Sequence, residues 1–184
     1  MKRSERLDLR HGATLPRLMQ MPRAVVLVEG TSDLVALETL ALRRGRDLAA
    51  EGVVVDAIGG AQAVRRALER YDGARVVGLV DAGEAGGFRR VLDDVFVCEP
   101  DLEGELIRSL GADEVLRVLA AHGDLGPFRT LQKQPSWCGR AVEEQLRRFM
   151  GSGGSRKIHY ARHLVEALDL ERAPAPLDGV LAAL

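Results

Sequence analysis

Read from residue 23, the chain alternates short apolar runs with segments whose apolar residues recur at helical spacing. Ala24–Glu29 (AVVLVE) is predicted as a strand, and residues 32 to about 44 as a helix with Leu34, Leu37, Leu40 and Ala41 on one face. Val53–Ile58 is a second strand. Gly59-Gly60 turns it into a helix that runs through Tyr71, with Val64, Ala67 and Leu68 as its stripe. Arg75–Val80 is the third strand and Val95–Cys98 the fourth. The first three runs are apolar and β-branched, as strands covered on both faces require. Strand–helix alternation of this kind implies a parallel sheet with helical crossovers. DAGEAGGFRRVLDD, between the third and fourth strands, is too short for a full helix.

After Asp101 the pattern turns helical: Leu102–Leu110, Asp113–His122, Gly139–Met150 and Arg156–Leu168, with Gly111 and Gly123 as C-terminal stops. GPFRTLQKQPSWCG and GSGGS read as breaks. The stretch after Asp169, with Pro174 and Pro176, reads as a peripheral tail. Residues 1–22 form a basic leader closed by Pro22. The expected organisation is therefore a leader (1–22), an α/β core (23–125) and a helical C-terminal extension packed on that core (126–184).

Composition narrows the class. A chain of 184 residues, 46% hydrophobic, can bury an ordinary core, and with aromatics at 4% that core is aliphatic. Two cysteines, Cys98 and Cys138, lie far apart without metal-type spacing and read as reduced thiols. No apolar run is long enough to span a membrane and the N-terminus lacks a signal core, so the expectation is a cytoplasmic protein without a membrane partner. The net charge of -1 conceals a segregation. From Asp81 to Glu105 eight acids stand against two arginines, whereas from Gly126 to His163 eight bases stand against two glutamates. An acidic centre beside a basic flank suits metal ions and a polyanion, though solvated helix faces give the same pattern.

The acids occupy particular places. Glu29 ends the first strand, Gly30 follows, and Asp33 lies one helical turn on. Asp81 ends the third strand, with Glu84 shortly after, and Asp101 and Glu103 follow the fourth. The carboxyl edge of an open α/β sheet is where such folds bind ligands. Carboxylates converging there would share a hard cation such as Mg²⁺. Each position also has a local reading: Asp33 as a first-turn acid, Asp101 as an N-cap, Asp81 as a turn residue.

VEGTSD, LVDAGE and DLE together resemble a TOPRIM domain, the catalytic module of type IA and type II topoisomerases, primases, recombination proteins and OLD-family nucleases. That family places a Glu after the first strand and an Asp-x-Asp after the third. Glu29 matches the first motif and Asp81 the second. The nearer likeness is to OLD-family nucleases, which carry the VEGxSD form, a later Asp-Leu-Glu and a downstream lysine before a helix. These correspond to Glu29/Asp33, Asp101-Leu102-Glu103 and Lys157. The resemblance spans roughly residues 24–168. It departs where the second aspartate of Asp-x-Asp is expected, since that position holds Gly83, with Glu84 next to it.

The resemblance implies a TOPRIM (Rossmann-like) four-stranded parallel sheet flanked by helices. It implies a Mg²⁺- or Mn²⁺-dependent nuclease acting on nucleic acid, DNA being the expected substrate. Glu29, Asp33, Asp81, Glu84, Asp101 and Glu103 are then the expected ligands of one or two ions, with Glu29, Asp81 and Lys157 catalytic. Arg140, Arg147, Arg148 and Arg156 would hold the nucleic-acid backbone. The alternative is a non-catalytic metal- and nucleic-acid-binding module that serves a separate ATPase partner, since no phosphate-binding ATPase loop occurs here. A phosphotransferase on a receiver-like or HAD-like fold ranks lower, because those place an aspartate after the first strand. His159 and His163 are four apart without a third ligand fixed by the sequence, and His11 and His122 have no recognisable partner. Trp137 and Phe128 are candidates for stacking on a base.

Overall fold

The computed structural model describes residues 21–184; the leader expected over 1–22 lies almost wholly outside them. Four strands form one parallel sheet: β1 (Ala24–Val28), β2 (Val53–Ala57), β3 (Arg75–Asp81) and β4 (Val95–Cys98), in the order β2-β1-β3-β4. β1 lies at the centre and all five of its residues are buried. Ala24, Val26 and Val28 join one apolar cluster, whereas Val25 and Leu27 join the other, so successive side chains feed opposite faces of the sheet.

The smaller cluster lies beneath α2 (Val64–Arg70) and the single turn α3 (Ala85–Phe88), with Phe88 fully buried. Gly78 in β3 permits this packing, because a Cβ there would stand 2.9 Å from the Phe88 ring. The larger cluster holds α1 (Thr31–Arg43), α4 (Leu102–Leu110), α5 (Ala112–Ala121), α7 (Val142–Met150) and α8 (Gly154–Ala167). α8 packs along α1, and the Arg43 guanidinium closes its far end by donating to the Val165 and Leu168 carbonyls, each at 2.7 Å.

Two segments differ from expectation. Within the predicted break GPFRTLQKQPSWCG, Leu125–Gln132 is a helix, α6, with Phe128 buried in the core; that ring is therefore not free to stack on a base. Pro127 falls in the first turn of α6, where a missing N–H costs nothing. The tail is not peripheral either. Ala175–Ala183 forms α9, which packs on β3 and β4 through buried Leu177, Val180 and Leu181. No helix among the described residues is long and apolar enough to cross a membrane.

Candidate active site

The chain leaves β1 for β2 on one side and returns to β3 on the other. The crevice between the carboxyl ends of β1 and β3 is thus the switch point of the sheet, the place where open α/β folds bind ligands. Glu29 and Asp81 flank it. Glu29 Oε1 accepts a hydrogen bond from the Asp81 N–H at 2.6 Å, and Asp81 Oδ1 accepts from the Leu102 N–H at 3.1 Å. One chain of carboxylate-to-backbone bonds therefore links the ends of β1 and β3 to the start of α4. Asp33 Oδ2 accepts from the Gly30 N–H at 2.9 Å, which folds the carboxylate back over the first turn of α1 and buries it. Glu84 Oε2 accepts from the Ala61 N–H at 3.0 Å, across the turn that follows β2. The space a side chain would take at Gly83 is open, with nothing within 4 Å.

Asp101 fills its local role: Oδ1 caps α4 by accepting from the Gly104 N–H at 2.9 Å. Its other oxygen takes the Arg147 Nε at 2.6 Å. Glu103 is buried, and its Oε1 accepts no hydrogen bond. The Lys157 ammonium stands 3.5 Å from that oxygen, an ion-pair distance. Lys157 reaches this point because α8 begins at Gly154 and lies along α1, which sets its first turn over the sheet edge.

These groups share one electrostatic problem. Burial, reinforced by the Asp81 charge, raises Asp33 to about 6. Burial raises Glu103 to about 7, although Lys157 pulls the other way. Glu29 and Asp81 are raised as well, again chiefly by burial. The Lys157 ammonium loses hydration by burial, but Glu103, Asp33 and Asp81 outweigh that and raise its pKa. Burial is thus the main reason these carboxyl groups hold protons above their ordinary range, and Lys157 offsets it only in part.

Two clefts meet at Lys157. The larger, about 690 Å³, is lined by Glu29, Asp33, Asp81, Glu84, the Gly59-Gly60 turn and Lys157. The other, about 510 Å³, is lined by Asp101, Glu103, Glu144, Trp137, Arg140, Arg147, Arg148 and Lys157, with Arg140 paired to Glu144 at 3.6 Å. Trp137 is held by Gln145, whose Nε2 donates to its carbonyl at 2.8 Å, and the Arg140 guanidinium lies 5.0 Å from its ring centroid. Arg156 lines neither cleft: it lies 4.4 Å from the Phe149 ring centroid and donates to Ser152 Oγ at 2.8 Å.

The donor set fits a hard divalent cation on two counts. All the side-chain donors are carboxylate oxygens in excess of positive charge, and the buried Glu103 Oε1 is left without a hydrogen-bond donor. Among the described residues, no three of these carboxylates gather their oxygens closely enough to ligate an ion directly as a group. The expectation that Glu29, Asp33, Asp81, Glu84, Asp101 and Glu103 close together on one or two ions is therefore not met, and an ion such as Mg²⁺ would take one or two of these carboxylates and complete its shell with water and phosphate. The three side chains that do gather are His122, His159 and His163. The i, i+4 spacing signalled the last two. His122 had no signal, because only the docking of α5 on α8 brings it there.

Residues 22–81 match the family model for the TOPRIM domain of overcoming lysogenization defect protein-like proteins, so this part of the chain is similar to an OLD-like TOPRIM domain. The whole fold is similar to the C-terminal region of the Burkholderia pseudomallei OLD protein, at a TM-score of 0.63 and 14% identity over 89% of this chain and 97% of that one. The C-terminal region of the Xanthomonas campestris pv. campestris OLD protein superposes at 0.60 and 19% identity, over 88% and 93%. At such identities the structures establish a shared architecture. No curated protein matches the chain. TOPRIM domains bind divalent metals, and the sheet-edge carboxylates are donors of that kind.

Proposed function

We propose that this TOPRIM module hydrolyses phosphodiester bonds of nucleic acid, DNA in the first instance, with Mg²⁺ or Mn²⁺. The observation that carries the reading is Lys157, half-buried and paired with the buried Glu103 at the junction of an acidic cleft and an arginine-lined one. Glu29, Asp81 and Glu103 would hold one or two ions, with Asp33, Glu84 and Asp101 acting as hydrogen-bond acceptors that fix the surrounding backbone. The ions would supply Lewis-acid polarisation of the phosphate and an acidified water. Lys157 neutralises charge that builds on the phosphate during attack. Arg140 and Arg148 bind the strand backbone without reading sequence, Trp137 offers a stacking face, and Arg147 fixes Asp101.

The test is cleavage of plasmid and single-stranded DNA in Mn²⁺ by the parent, Glu29→Gln and Lys157→Met, each checked for folding by circular dichroism. Both variants are expected to lose on the order of a hundredfold or more in rate. Equal rates in all three eliminate the site.

One observation favours a second reading, a binding module that holds metal and nucleic acid for a separate ATPase. Gly83 supplies no carboxylate where the family pattern has one, and Glu84 is engaged with the Ala61 N–H. Because the space at Gly83 is open, Gly83→Asp adds the carboxylate without a clash. A parent that binds DNA but does not cut it, with cleavage acquired by Gly83→Asp, assigns the binding role to the natural chain. A parent that already cuts assigns catalysis, and Gly83→Asp should then tighten Mn²⁺ binding.

A further inference from the structure

Outside the carboxylate site the fold builds a second cluster of ligating side chains. His122 is the C-cap residue that follows α5, while His159 and His163 lie one turn apart on α8. One ligand atom from each lies within 4.8 Å of the other two. The ring centroids are 4.8 Å apart for His122–His159, 3.9 Å for His122–His163 and 4.4 Å for His159–His163. A tetrahedral ion with bonds of roughly 2.0–2.1 Å needs its nitrogens roughly 3.4 Å apart, so small side-chain rotations bring three nitrogens onto one centre.

The scaffold around the cluster is ordered independently of it. α5 ends in a Schellman turn: the Gly123 N–H donates to the Ala120 carbonyl at 3.1 Å and the Asp124 N–H to the Leu119 carbonyl at 2.9 Å, with Gly123 at φ 77°. This turn fixes where His122 leaves the helix. The buried Tyr160 hydroxyl then donates to Asp124 Oδ2 at 2.7 Å, which ties the end of α5 to α8 beside the His122 and His159 rings. His163 Nδ1 is 2.8 Å from Glu166 Oε2. A carboxylate on one ring nitrogen fixes the tautomer and leaves Nε2 as the metal ligand, the arrangement that supports most metal-bound histidines. Two of the three histidines are exposed, so an ion can enter and keep an open position for water.

We infer that His122, His159 and His163 form a binding site for a borderline first-row divalent ion, with Zn²⁺ as its reference ligand, that clamps α5 to α8. Imidazole nitrogens select such ions, whereas the carboxylates at the sheet edge select Mg²⁺ or Mn²⁺, so the two sites answer to different metals. The clamp acts on the helix whose first turn carries Lys157.

Zn²⁺ binding to the untagged full chain is measured by calorimetry, and Co²⁺ binding by the visible absorption of tetrahedral Co²⁺. The proteins are the parent, His122→Asn, His159→Gln, Glu166→Gln and Glu29→Gln. One Zn²⁺ should bind the parent and Glu29→Gln alike. Affinity should fall at least tenfold in each histidine variant and about tenfold or more in Glu166→Gln. The same histidine variants should keep their Mn²⁺ affinity. Absence of Zn²⁺ binding by the parent, or binding that survives both histidine changes, or binding that is lost only with Glu29, each overturns the site. None of these readouts depends on nuclease activity.

Discussion

At the scale of single residues, the crowded carboxylates set a pH response. Asp33 at about 6 and Glu103 at about 7 stand well above their ordinary 3.8 and 4.5. Between those limits the folded chain keeps protons that the unfolded chain has released, so stability falls as pH rises through the window. His159 is held below its ordinary value by burial and by its neighbouring histidines, and it works in the opposite sense near pH 6. The useful quantity is therefore the difference between the parent and Glu103→Gln. In EDTA, the parent should lose thermal stability relative to Glu103→Gln as pH is raised from 5.5 to 8, and Mn²⁺ should restore it at the alkaline end. A parent that gains on the variant over that range contradicts the assignment of Glu103 as the strained acid. Much of this site was legible in the sequence, because Glu29 and Asp81 stand where strands stop and Asp33 lies in the first turn of the helix that follows, and position alone sends them to the sheet edge. The partners were not legible. That Glu29 spends an oxygen on the Asp81 N–H, or that Arg156 turns away onto Phe149, depends on packing that no local spacing records.

At the scale of elements, the strands and the first helix were readable because a parallel sheet demands apolar runs, and β1 and β3 supply them. α6 and α9 were not readable, because proline and glycine look like breakers wherever they fall. Pro127 and Pro176 both lie in first turns, where they are tolerated. Gly179 sits inside α9 for a different reason: a Cβ there would come within 2.6 Å of Phe96 Cδ1 and Cε1. Helix propensity and packing thus predict opposite signs for Gly179→Ala. Propensity alone offers a gain of about 1 kcal/mol. Forcing a methyl into the Phe96 ring costs about 1–3 kcal/mol, and the ring, which β4 presents to α9, has to shift. The expected net result is a lower Tm. Gly126→Ala, in α6 with open space around it, is the matched control and should not fall. A Gly179→Ala protein as stable as its parent shows that α9 does not dock as described.

At the scale of the whole molecule, a net charge of -1 says little about a polyanion, and the segregation behind it says more. The fold sets the acidic strand ends beside the arginines of the 126–163 stretch, with Lys157 on the seam. The basic cleft should then hold nucleic acid by charge alone. Arg147 is a poor probe of it, because its guanidinium is committed to Asp101 at 2.6 Å, and its loss would disturb the α4 cap. Arg140 and Arg148 are the better pair: both lie over the Trp137 ring, at 5.0 and 6.0 Å, and both face the cleft. Each phosphate neutralised releases counterions, so the logarithm of affinity falls with the logarithm of salt by about 0.7 per contact for a single strand and about 0.9 for a duplex. Arg140→Ala with Arg148→Ala should therefore weaken binding to every sequence alike and flatten that slope by about 1.4 or 1.8. Fluorescence anisotropy across a salt series, in EDTA to keep cleavage silent, measures both effects. A double variant with the parent's slope would mean that phosphates do not enter this cleft, and the path of the strand past Lys157 would have to run elsewhere.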